Sequence, residues 1–312
     1  MCCLFGMIDL HHTFTRKQKT KILRILSAAC EARGTDAAGV AYNSHGHLQI
    51  YKRPVPAHQL HLRIPDDVSV VMGHTRMTTQ GCEQLNWNNH PFRGMTNGQS
   101  FALAHNGVLR NDKQLRTAQK LPATNIETDS FIAVQLIQKY GALSLDSLKH
   151  MVEQLEGSFS FTVLDSKNNL YFIKGDNPLC IYYYPESGVY LYASTQEILD
   201  AALSKIHLLR EMPRRILLDC GDILKVSADG SHEVAVFDTS KLFTCSWLWD
   251  YWPRFSLSRQ SASVQTSAHQ EYVQQLRSTA SYFGYDPGSV DLMLADGFSL
   301  DDVESMLYAG EL

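Results

Sequence analysis

Short apolar segments of strand length dominate this chain, and one pair of amphipathic, helix-length segments divides them into two groups. Residues 4–10 read as a strand, and residues 16–32 carry Ile22, Ile25, Leu26 and Ala29 at helical spacing. Short strands follow at 39–42, 48–52, 68–73 and 101–104, the last ending at His105-Asn106-Gly107, where Asn-Gly signals a turn. From Thr128 the period changes. Phe131, Val134, Gln135 and Gln138 recur at i, i+3, i+4 and i+7, and Leu145, Leu148, Val152 and Leu155 mark a second helix. Further strands run from 159 to about 238, interrupted by one helix at 196–203. Strands, a helix pair and strands again predict an α+β fold.

Composition sets the class. Of 312 residues 44% are hydrophobic and only 19% charged, which supports a sizeable core and excludes a mainly disordered chain. With 28 basic against 32 acidic residues, the chain lacks the positive excess that phosphate backbones attract, so no nucleic-acid partner is expected. No apolar run approaches the roughly 18 residues a bilayer crossing needs, and no basic, signal-like segment opens the chain. No membrane partner is expected, and a cytoplasmic location is. The 7 cysteines never fall into CxxC spacing, which fits neither a disulfide framework nor a zinc ribbon. Residues 256–270 are polar and read as a linker, preceded by Trp247, Trp249, Tyr251 and Trp252, an aromatic cluster expected to bury itself against the main domain. Asp286-Pro287 and Ser299 are helix start signals and Gly297 a stop. The expected organisation is a main domain over 2–238, a connector and linker over 239–270, and a small helical hairpin over 271–312.

The residue with the strongest chemical potential is Cys2. Removal of Met1 would leave its thiol beside its own free α-amine, joining nucleophile and base in one residue. An α-amine titrates near 7.7–8.0, about where a general base works best at neutral pH. No separate histidine is then required.

The neighbours of Cys2 give this meaning. Cys2-Cys3-Leu4-Phe5-Gly6, Arg33-Gly34-Thr35-Asp36-Ala37-Ala38-Gly39 and Gly73-His74-Thr75-Arg76 through Thr79-Gln80-Gly81 are followed by His90-Pro91, Ala104-His105-Asn106-Gly107 and Glu127-Thr128-Asp129-Ser130. In this order the six segments resemble the class II glutamine amidotransferases of the N-terminal-nucleophile hydrolase superfamily. The resemblance spans roughly residues 2–238 and implies that superfamily's four-layer αββα sandwich, here with a small helical appendage. It implies no cofactor and no metal. The Cys2, Cys3, His11, His12 group fits no common zinc spacing.

The resemblance also implies roles. Cys2 would attack the side-chain amide of L-glutamine, forming a γ-glutamyl thioester and releasing ammonia. Asn106 and the Gly107 backbone N–H would hold the oxyanion. Arg76 would take the substrate α-carboxylate as a planar fork and Asp129 its α-ammonium, with Thr79 binding glutamine and Arg33 lying close to Cys2. His74, His90 and His105 are expected to orient backbone rather than transfer protons. Three positions depart from the pattern. Cys3 replaces a glycine, and Met77 and Gln80 stand where sugar-phosphate amidotransferases carry tryptophan and histidine. Residues beyond 238 offer no room for an acceptor-converting domain, so an ammonia-accepting synthase subunit is the expected partner. The alternatives are a stand-alone hydrolase of another γ-glutamyl or linear amide, and an inactive regulatory protein of the same fold.

Overall fold

A computed structural model describes residues 2–209 and 211–242, and part of 273–307. The aromatic cluster and the polar linker expected from sequence lie outside the described residues.

Two antiparallel sheets form the body. The first has seven strands: β1 (Cys3–Asp9), β2 (Ala37–Ser44), β3 (His47–Arg53), β4 (Val70–Arg76), β9 (Cys180–Tyr184), β10 (Val189–Ala193) and β11 (Arg214–Ile216), in the order β11-β9-β10-β1-β4-β2-β3. The second has six: β5 (Phe92–Thr96), β6 (Gln99–Leu109), β7 (Gly157–Asp165), β8 (Leu170–Lys174), β12 (Asp222–Val226) and β13 (His232–Val236), in the order β13-β12-β8-β7-β6-β5. Every residue of β1 is buried, as its unbroken apolar run requires of a central strand covered on both faces.

Side-chain alternation in β1 sorts its residues between two cores. Cys3, Phe5 and Met7 face α1 (Arg16–Ala29) and α5 (Gln196–Leu203), packing with Ile22, Leu23, Leu26 and Leu199. Leu4 and Ile8 face the other sheet, where Met72, Ala102, Ala104, Leu164 and Phe172 fill the middle layer. Beyond the second sheet lie α2 (Asp112–Ala118), α3 (Phe131–Tyr140) and α4 (Leu145–Val152), with Ile132, Leu136, Leu148, Phe159 and Phe161 in a third core. The layers are therefore α, β, β, α, as expected. Each fully buried Leu, Ile or Phe contributes about 1.5–3 kcal/mol, so all three interfaces are needed to hold the layers.

Local signals set the helix ends. Thr15 caps α1 in a capping box with Gln18, and Ser144 does so for α4 with Ser147. Gly141 ends α3 at φ +85, a left-handed stop that glycine adopts without a Cβ penalty.

One expectation is corrected. His105-Asn106-Gly107 is not a turn: β6 runs on to Leu109, because β7 pairs with it residue by residue from Phe101↔Asp165 to Leu109↔Gly157. The long partner strand overrides the local Asn-Gly signal. Toward the C-terminus, Leu276, Ala280, Val290, Val303 and Leu307 form a small core of their own, with a helix over Gly288–Ala295. Among the described residues no helix is long and apolar enough to cross a membrane.

Candidate active site

The even-numbered side chains of three strands converge at one end of the middle layer. In β1 the even residues face the opposite sheet, so Cys2, just before that strand, points the same way. Antiparallel register pairs Cys3 with Thr75, and one further step sets Arg76 of β4 opposite Cys2. In β6, Ala102 and Ala104 line the middle layer, and Asn106 continues their face.

Hydrogen bonds tie these elements together. Ser194, fully buried after β10, accepts from the Leu4 backbone N–H at 2.8 Å and from Asn106 Nδ2 at 3.4 Å, so one hydroxyl joins the Cys2 strand to Asn106 across the two sheets. Arg33, buried at the end of the turn after α1, donates from Nε to the Cys2 carbonyl at 3.1 Å. The Cys2 thiol, half-buried, donates to the Met77 carbonyl at 3.5 Å. Burial pushes this thiol above its usual pKa, while the Arg76 charge pulls the other way.

Arg76 and Asp129 are both buried. Arg76 donates to Asn89 Oδ1 at 2.6 Å and to the Gln80 and Gly81 carbonyls at 2.6 and 3.1 Å, which leaves part of its five-donor fork uncommitted. Asp129 accepts from the Leu109 N–H at 2.6 Å through one oxygen and from the Ser130 N–H at 2.8 Å through the other. Burial still raises its carboxyl pKa, although those N–H groups and Arg76 counter the rise. Thr79 is exposed on the loop after β4, one residue beyond Thr78, whose N–H donates to Asp36 Oδ2 at 2.6 Å.

The three histidines lie behind this group. His74 meets the His105 carbonyl through Nε2 at 2.9 Å, and His105 Nδ1 meets Ser130 Oγ at 2.7 Å. Desolvation lowers His74 and His105 to about 3, so both rings are neutral near pH 7. His90, its ring tilted against that of His74 with centroids 4.2 Å apart, is pushed down for the same reason and has no hydrogen-bond partner in the protein. These rings are unsuited to proton transfer at neutral pH.

Gly107 stands beside Asn106 at φ +141. A Cβ there would meet the Ser158 carbonyl oxygen at 2.0 Å and Asn177 Nδ2 at 2.5 Å, so only glycine fits. Sequence reasoning missed Ser194, Asn177, Asn89 and Ser130. Ser130 ends the Glu127-Thr128-Asp129-Ser130 motif but was given no role there, and the other three lie outside the motifs and reach the site only through the tertiary fold.

Comparison with known proteins agrees with this geometry. Residues 74–201 match the glutamine amidotransferase domain family. Glutamine–fructose-6-phosphate aminotransferase of Sulfurisphaera tokodaii is 30% identical over 190 residues, covering 58% of this chain and 31% of that protein. The Streptococcus mutans protein of the same name is 32% identical over 191 residues, covering 58% and 30%. The match thus spans less than a third of these relatives' length. In fold, glutamine phosphoribosylpyrophosphate amidotransferase of B. subtilis superposes with a TM-score of 0.61 at 20% identity, covering 76% of this chain and 49% of that one. Over residues 74–201 the chain is thus similar to the glutamine amidotransferase domain family, and its fold is similar to that of a solved amidotransferase.

Proposed function

We propose that the chain hydrolyses the side-chain amide of L-glutamine with Cys2 as nucleophile, giving glutamate and ammonia for a separate acceptor synthase. The observation that supports this most is the convergence of Cys2, Arg76 and Asn106 at one end of the middle layer, with Asp129 on the neighbouring loop. With Met1 removed, the Cys2 α-amine takes the thiol proton and sulfur attacks the amide carbon. The resulting oxyanion is held by Asn106 Nδ2 and the Gly107 N–H. Collapse breaks the C–N bond, and the amine's proton leaves with ammonia. Water then attacks the γ-glutamyl thioester, passes its proton to the amine and restores the thiol. Arg76 takes the substrate α-carboxylate, with Asp129 taking its α-ammonium and Thr79 adding a contact from its loop. Together they favour a free amino acid over a peptide. Arg33 fixes the Cys2 carbonyl and so the nucleophile's backbone.

The raised thiol pKa favours a base inside the same residue, since the neighbouring histidines are neutral and engaged elsewhere or enclosed. Intact mass after incubation with 6-diazo-5-oxo-norleucine tests the reading. One covalent adduct on des-Met1 protein, absent in Cys2→Ala, is the expected result; an adduct that survives Cys2→Ala would overturn it.

A further inference from the structure

The Asn106–Gly107 peptide bond joins two groups of opposite use. Its carbonyl belongs to Asn106 and its N–H to Gly107. In a trans peptide these point in opposite directions, so whatever fixes the carbonyl also aims the N–H. Here the carbonyl takes a second donor from outside the strand ladder: Asn177 Nδ2 donates to Asn106 O at 2.9 Å, and Asn177 is only 1% exposed.

The surroundings make this bond decisive. Gly107 lies opposite Phe159 in the β6–β7 register. Phe159, however, directs its N–H to Asp176 Oδ1 at 2.9 Å and its carbonyl to the Asn177 N–H at 3.4 Å, both on the far side of β7. Residues facing one another in antiparallel strands alternate between bonded and non-bonded pairs, and Gly107–Phe159 is therefore a non-bonded one. The Gly107 N–H is directed away from β7. On its other side β5 has already ended, since its first residue, Phe92, pairs with Leu103. The same alternation makes Asn106–Ser160 a bonded pair, so the Ser160 N–H and Asn177 share the Asn106 carbonyl, while the ladder leaves the Gly107 N–H itself without a strand partner.

Asn177 is itself anchored. Its carbonyl accepts from Ser160 Oγ at 2.6 Å and from Lys174 Nζ at 2.8 Å, and both partners are buried. A hydrogen bond to the carbonyl also polarises the amide and strengthens its N–H as a donor.

We propose that Asn177 is a positioning residue for amide hydrolysis: by gripping the Asn106 carbonyl it aims the Gly107 N–H at the oxyanion that forms on attack by Cys2. This rests on the glutaminase reading above. Asn177 touches neither substrate nor sulfur and acts through the peptide it holds.

The test compares purified full-length wild type with Asn177→Leu, which keeps the side chain's shape without the donor. Because an apolar group beside Lys174 could block folding, Asn177→Ser is carried in parallel. Steady-state glutaminase kinetics are read with two competitive ligands. Glutamate γ-semialdehyde adds the thiol across its carbonyl and leaves an oxygen in the oxyanion position; glutamate does not. In both variants kcat is expected to fall on the order of 10- to 100-fold, short of the 10²–10³-fold loss of a whole oxyanion donor. KM for glutamine and the inhibition constant of glutamate are expected to stay within about 2-fold, while the aldehyde weakens by the same factor as kcat. Unchanged kcat in a folded variant overturns the proposal, as does parallel weakening of glutamate and aldehyde, which marks a merely structural role. Wild type without glutaminase activity would instead overturn the functional reading itself.

Discussion

Asp176 sits beside Asn177 and carries a penalty that pH can switch. Burial raises its carboxyl from the usual 3.8 to about 6, against the Phe159 N–H, Ser158 and Lys174, which favour the charged form. Its second oxygen finds no partner in the protein. The folded chain thus holds a proton that the unfolded chain releases. Below about pH 4 both states are protonated and Asp176 costs nothing. As pH rises through 6 the native carboxyl must ionise in its enclosed place, and stability is lost. At about 1.4 kcal/mol per pH unit the full penalty is at most about 3 kcal/mol, an upper bound because Asp176 is partly exposed. About 2 kcal/mol of it falls between pH 4.5 and 7.5. Asp176→Asn keeps an acceptor for the Phe159 N–H and removes the titration. Urea unfolding of wild type and variant across that range should show the variant gaining up to about 2 kcal/mol relative to wild type as pH rises. Any constant cost of the new amide cancels in this comparison. Parallel curves would refute the reasoning and return Asp176 to an ordinary surface acid.

Two further outcomes test other parts of the structure. Asp129→Asn should reduce kcat/KM for glutamine about 100-fold, since it removes the charge proposed to meet the α-ammonium and turns one of two satisfied acceptors toward an N–H; steady-state kinetics that match wild type would remove that assignment. Lys19 and Asp9 form a fully buried pair at 3.5 Å, with Lys19 also bonded to the Val68 carbonyl at 2.6 Å. Lys19→Met should cost about 3–5 kcal/mol in urea unfolding by stranding Asp9, and adding Asp9→Asn should restore much of that loss.

What the residues alone disclosed follows from how local each signal is. The strand run over 4–10 and the 3.6-residue period of α1 and α3 are read within one turn or strand, and the structure has a strand at Cys3–Asp9 and helices at Arg16–Ala29 and Phe131–Tyr140. β5 was hidden because Arg93 and Met95 break its apolar run and Gly94 contributes no β propensity. β13 was hidden because four of its five residues, Val234 and Val236 among them, are exposed. Asn106-Gly107 reads as a turn from sequence for the reason it is useful in the fold: glycine permits a φ that few residues reach, and here a paired strand uses that freedom. Cys2, Arg76, Asn106 and Asp129 are singled out by the resemblance of the motifs around them. Ser194 and Asn177 could not be, since a buried serine or asparagine acquires its meaning from a partner 70 to 190 positions away.

The middle layer also acts as a gauge. One jaw of the site, Cys2 with Arg76, belongs to the seven-stranded sheet; the other, Asn106 with Gly107, belongs to the six-stranded sheet. Ser194 pins them together, and His74 Nε2 on the His105 carbonyl does so again behind the site. The opening between the jaws is set further down the seam by small residues, Ala41 on one leaf and Ala102 and Ala104 on the other. A larger side chain there would act as a wedge, spreading the leaves by a fraction of an ångström that the core can absorb but an oxyanion cannot. The volume of three alanines is then part of what sets the spacing of the two sheets.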